Sequence, residues 1–180
     1  MNEIHPKIKH ARINLLLSRP FYGSGVVSLV VTENSAINTA NTDGKRVQYN
    51  PDFISALSNE EVQFVFAHEL LHILWLHHTR VGLREPKKWN RACDYVINDL
   101  LLQDGFKLVN RTIEYGKGLV FNGCLHDLKY RGMSAEEVYS LLPDSPEDGN
   151  HDIGGIEKAS LNQDSLDEEE RRVKEVLSQA

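Results

Sequence analysis

The chain has 180 residues, 41% of them hydrophobic, and a formal net charge of −6. That length fits one domain with room for a tail, and the hydrophobic share can support a packed core. The acidic balance, with no Lys/Arg cluster, argues against general affinity for nucleic acid or an anionic membrane, and two cysteines, Cys93 and Cys124, are too few for a disulfide scaffold.

The first residues carry no apolar signal region, and no run approaches the 18 apolar residues of a membrane span. A cytoplasmic, reducing location is therefore expected. Residues 5–18 place Ile8, Ala11, Ile13, Leu15, Leu16 and Leu17 among basic residues, which predicts a first helix ending before Arg19-Pro20. Residues 25–32 (GVVSLVVT) are rich in Val and predict a buried strand. Residues 35–42 suit a second short strand or a loop. Asp43-Gly44 is a hairpin signal ahead of a strand at 46–49. Asn50-Pro51 then opens a short helix over 51–56.

Ser58 and Glu61 form a capping box, with the serine at the N-cap and the glutamate at N3. The helix it starts is predicted to run to Thr79 or Val81, with Gly82 as the stop. This helix is apolar nearly all round, so burial on most sides is expected. Inside it stands His68-Glu69-Leu70-Leu71-His72, an HExxH motif. Residues four apart share a helix face, so both imidazoles can reach one ion. Glu69 is rotated about 100° from His68 and suits contact with a water on that ion rather than ligation. Two neutral nitrogens beside a carboxylate match a hydrolytic zinc site. Coincidence, with both histidines satisfied in the core, is the alternative. Burying His68, Glu69 and His72 without partners would be costly, which favours the metal.

Catalytic zinc keeps three protein ligands and one open position. His78 lies six residues past His72, the spacing of the metzincin pattern HExxHxxGxxH. Trp75 stands where that pattern needs Gly for a sharp turn. A continuing helix would carry His78 about 9 Å beyond His72, and His77 meets the same objection. The next helix, predicted over 89–102 with Pro86 before it and Asp104-Gly105 after it, has Asn90, Asp94, Ile97, Asn98 and Leu101 on its inner face. Asp94 is 22 positions after His72, enough for an antiparallel return, and gluzincins draw a carboxylate ligand from a second helix at similar spacing. Asp94 is preferred to His78. Asn98, one turn on, can orient a ligand from behind. Cys93, next to Asp94 in sequence, is expected to face the core.

Residues 106–121 look irregular or weakly β. Tyr115, His126 and Tyr130 are candidates to steady the oxyanion of a tetrahedral intermediate. Ser134 and Glu137 form a second capping box for a helix reaching Leu142. Three segments are thus expected: a domain over 1–142, an acidic flexible linker over 143–165, and an amphipathic helix over 166–180 with Val173, Val176 and Leu177 on one stripe. That helix is marginal alone and should dock on the domain or on a partner.

Thr39 to Lys45 (TANTDGK), Tyr49-Asn50-Pro51, HELLH, Trp89 to Asn98 (WNRACDYVIN) and Tyr130 to Tyr139 together resemble a metallopeptidase-domain family. The likeness covers roughly residues 5–142. In bacterial and phage proteins that family usually precedes a von Willebrand factor A-like domain. The resemblance implies an α+β, zincin-like fold, a small twisted sheet packed on the HExxH helix and a second ligand helix. It implies zinc on His68, His72 and Asp94, with Glu69 catalytic. The expected function is a zinc-dependent peptidase acting on a protein or peptide, with the strand at 46–49, or the segment 37–42 opposite it, pairing with an extended substrate. The rival is a catalytically silent interaction module, partnered by resemblance with a MoxR-type AAA+ ATPase; a zinc amidase acting on non-peptide amides is a third possibility.

Overall fold

The computed structural model describes residues 4–144 and 163–178. Most of the acidic stretch expected as a linker lies outside the described residues. The fold is α+β, with seven α-helices and five short strands among those residues. None of the described helices is long and apolar enough to cross a membrane.

Helix α1 (Pro6–Ser18) buries Ile8, Ala11 and Leu15, a helical stripe, and leaves Ile13, Leu16 and Leu17 exposed. Residues 25–28 are not strand, as their Val content predicted. They end helix α2 (Pro20–Ser28), and strand β1 (Val30–Glu33) begins two residues later. Packing overrides local propensity here. Tyr22, Val26 and Leu29 are buried at helical spacing. A Cβ on Gly23 would lie 2.4 Å from the Leu16 backbone nitrogen, and one on Gly25 would lie 2.6 Å from the Leu70 side chain. The two glycines let α2 press against α1 and against the helix that carries Leu70.

Strand β2 (Ala40–Thr42) turns through Asp43 and Gly44 into β3 (Arg46–Tyr49), an antiparallel pair joining Ala40 to Tyr49 and Thr42 to Val47. The β1 strand pairs with β3 in parallel, Val30 opposite Arg46. The order β1-β3-β2 makes β3 the central strand, so it has no free edge for a peptide, contrary to one expectation. The edges are β1 and β2.

Asn50 caps α3 (Pro51–Ala56), accepting from the Asp52 and Phe53 amides. The capping box at Ser58 and Glu61 is present and starts α4 (Asn59–Leu74). Arg111 grips the Glu61 carboxylate with two bonds of 2.9 Å, tying the later hairpin to this helix start. Helix α4 is the spine of the core: from Glu61 to Ile73 every residue but Gln63 is buried. Full burial of each of Phe64, Phe66 and Leu70 contributes roughly 1.5–3 kcal/mol. Glu85 caps α5 (Pro86–Gln103), which starts three residues earlier than predicted and packs beside α4.

Beyond α5, β4 (Ile113–Tyr115) and β5 (Leu119–Phe121) form a small hairpin. Helix α6 (Ala135–Leu141), opened by the second capping box, packs on α5. Helix α7 (Gln163–Ser178) lies against α2 and buries Glu169 and Val173.

Candidate metal centre

Helices α4 and α5 bring three polar side chains into one buried spot. Nε2 of His72 lies 2.9 Å from Nε2 of His68 and 3.1 Å from Oδ1 of Asp94. Nε2 of His68 lies 3.4 Å from the same oxygen. The exposures are 0% for His68 and 1% for His72 and Asp94. Nothing else among the described residues forms such a group of three potential ligands. The i, i+4 spacing on α4 and the antiparallel return of α5 produce it.

The surroundings fix how these groups present themselves. Nδ1 of His68 lies 2.9 Å from Oδ1 of Asn98, whose amide nitrogen donates to the Leu125 carbonyl at 2.8 Å. That second bond orients the amide, so its oxygen faces His68. His68 therefore carries its proton on Nδ1 and turns a lone pair on Nε2 toward the cluster. Asn90 donates to the other carboxylate oxygen of Asp94 at 3.2 Å. Burial disfavours charge on Asp94, but the two imidazoles beside it outweigh this and hold its carboxyl below the usual range. Burial pushes the His72 imidazole down to about 4, against the pull of Asp94, so it is neutral at pH 7.

These residues fit a metal ion. Donors around a tetrahedral ion with bonds of about 2.0–2.2 Å stand about 3.3–3.6 Å apart, so the three atoms need to spread by only a few tenths of an ångström to admit one. Lone pairs and a carboxylate facing one another in a dry interior repel unless a cation lies among them. Glu69 adds to this. It is wholly buried, and neither carboxylate oxygen has a hydrogen-bond partner among the described residues. Burial and the nearby Asp94 charge raise its pKa well above the usual carboxylate value.

The other expected residues lie elsewhere. His78 is buried against the turn at Gly44, with Glu169 of α7 at 3.8 Å, and does not join the cluster. The Tyr115 hydroxyl donates to the Asn38 carbonyl. His126 pairs with Asp99 at 3.0 Å, and the Tyr130 ring packs at a tilt against Tyr95. Each of these three is engaged with a group outside the cluster. Cys93 is buried in a separate cluster with Val81, Trp89 and Ala135.

One neighbour was missed. Helix α4 ends at Leu74, five residues short of the earliest predicted end, and Leu76 has φ +53°. The Leu76 amide bonds to Ile73 O and the His77 amide to His72 O, the two bonds of a Schellman turn. His77 thereby folds back on His72, with the two Nδ1 atoms 3.1 Å apart. The expectation that His77 points away along a continuing helix is corrected: the chain does turn, one residue after Trp75 and without a glycine.

An α+β protein with a buried His-His-Asp group on an HExxH helix and its neighbour is thus defined by fold and site. The chain belongs to the family described as "Putative metallopeptidase domain", which matches residues 3–177. It is also similar to an uncharacterised protein of Thermotoga maritima, at 28% identity over 127 residues, covering 59% of this chain and 32% of that protein. The chain thus spans about a third of the length of that relative. No solved structure matches.

Proposed function

We propose that this domain is a zincin-like, zinc-dependent peptidase, with His68, His72 and Asp94 as the metal ligands and Glu69 as the general base. The observation that carries it is Glu69. A fully buried carboxylate whose two oxygens have no partner among the described residues is expensive, and a purely structural metal site has no need of one. Two imidazoles and one carboxylate are a donor set for zinc, with a fourth position left over. When bound, zinc would acidify a water and polarise a substrate carbonyl. Glu69 takes the proton of the attacking water and passes it to the leaving amine. Asn98 and Asn90 hold His68 and Asp94 in place from behind. Whole-protein substrates and a place in the cytoplasm belong to the same proposal.

One observation favours a second reading. The cluster and Glu69 are at most 1% exposed, so a peptide reaches them only if covering elements move. A silent interaction module, recruiting a partner such as a MoxR-type ATPase, has no such requirement. Incubation of the zinc-loaded protein with a panel of unfolded proteins separates the two. Cleavage that stops with chelator and in Glu69→Gln supports the peptidase. No cleavage by wild type, or equal cleavage by Glu69→Gln, rejects it.

A further inference from the structure

Building on the metal-site reading above, we infer that His77 is a positioning residue: its Nδ1 accepts the Nδ1 proton of His72 and so keeps the Nε2 lone pair of His72 directed at the metal.

A histidine can ligate through Nε2 only if its proton sits on Nδ1, and whatever faces Nδ1 selects that tautomer. For His68 the acceptor is Asn98. For His72 the group facing Nδ1 is Nδ1 of His77, at 3.1 Å. With the proton on the His77 side instead, His72 would turn an N–H toward His68 and Asp94 and close the site to a cation. His77 is itself buried beside Trp75 and Trp89, with ring centroids 5.6 and 5.9 Å away, so its ring is held in place against His72. It is not a fourth ligand. Its contact is with the far side of the His72 ring, away from the Nε2 atoms that converge with Asp94.

The backbone supplies a second, independent sign. Leu76 is a non-glycine residue in the left-handed region, a conformation that costs about 1 kcal/mol or more. It persists because the turn is held from several sides. Arg80 donates to the Trp75 carbonyl and clamps Glu136 with two contacts of 2.7 Å. The Thr79 hydroxyl bonds to Leu76 O, and the Trp89 indole donates to His77 O at 3.0 Å. A Schellman turn places the residue after the left-handed position over the residue five before it, usually as an apolar contact. Here that pair is His77 over His72.

The test is zinc affinity of the whole chain, read by competition with a chromophoric chelator. In His77→Phe the ring stays among the tryptophans but offers no acceptor. In His77→Asn an oxygen stands close to where Nδ1 was. His77→Phe is expected to weaken zinc binding about 10–100-fold and to alter the visible spectrum of the cobalt-substituted protein. His77→Asn is expected to stay within about threefold of wild type. Equal affinity in wild type and His77→Phe, or equal losses in both variants, overturns the assignment. If His77→Phe does not fold by circular dichroism, the zinc-loaded wild type decides: a through-hydrogen-bond 15N–15N coupling between the two Nδ1 atoms is expected, and its absence overturns the assignment. Wild type that binds no zinc sinks the metal-site reading itself, a different outcome from wild type that binds while His77→Phe binds equally well.

Discussion

Asn98 bridges two parts of the fold, accepting from His68 Nδ1 at 2.9 Å while donating to the Leu125 carbonyl at 2.8 Å. The second bond gives the first its direction. Asn98→Ala should therefore keep the fold and loosen the metal. A loss of about 10–100-fold in zinc affinity is expected, measured by chelator competition. An affinity within threefold of wild type would remove Asn98 from the account of the site.

Glu69 makes the metal-free protein sensitive to pH in an unusual direction. Its folded pKa is raised well above the usual 4.5, by burial first and Asp94 second. Its stabilising contribution is thus complete below about pH 4.5 and is lost as pH rises through the folded value. Replacing it with Gln should raise the melting temperature of the metal-free protein at pH 7–8 and change it little near pH 4. Melting curves of both proteins in chelator check this. A lower melting temperature for Glu69→Gln at pH 8 would contradict it.

The Leu76 turn can be probed without touching the cluster. Leu76→Gly removes the strain of a left-handed side chain, although it also loses some buried area, so a change within about 1 kcal/mol is expected. Leu76→Val puts a β-branched side chain in the same conformation and should destabilise by roughly 1–2 kcal/mol. Urea unfolding of the two variants gives the comparison. If Val is tolerated as well as Gly, the turn is not held at the conformation described.

Gly44 is required for a different reason. It has φ +87°, and a Cβ there would lie 2.2 Å from Nε2 of the buried His78. Gly44→Ala should cost roughly 1–3 kcal/mol, because the His78 ring has little room to retreat. A urea midpoint equal to wild type would show that the turn moves freely away from His78.

Several features were legible in the sequence because they rest on local chemistry. Both capping boxes, the Asn50-Pro51 helix start and the Asp43-Gly44 turn stand where the residue types placed them. The convergence of His68, His72 and Asp94 followed from a four-residue helical step and a 22-residue return. What was not legible depends on tertiary contacts. The Gly23 and Gly25 packing that makes 20–28 helical involves Leu16 and Leu70, and no local signal marks it. The central place of β3 depends on which strand pairs with it from outside the hairpin. The early end of α4 was hidden because a leucine, not a glycine, takes the left-handed position. Once that turn is known, the adjacent His77 is the natural suspect, and a second histidine five residues past His72 was the only signal on offer.

The most direct test is the metal content of the purified chain after zinc loading and desalting, read by plasma mass spectrometry beside His72→Ala and Asp94→Ala. About one zinc per wild-type chain is expected, with less than roughly a tenth retained by either variant. No zinc in the wild type, or full retention in both variants, would contradict the His68-His72-Asp94 centre.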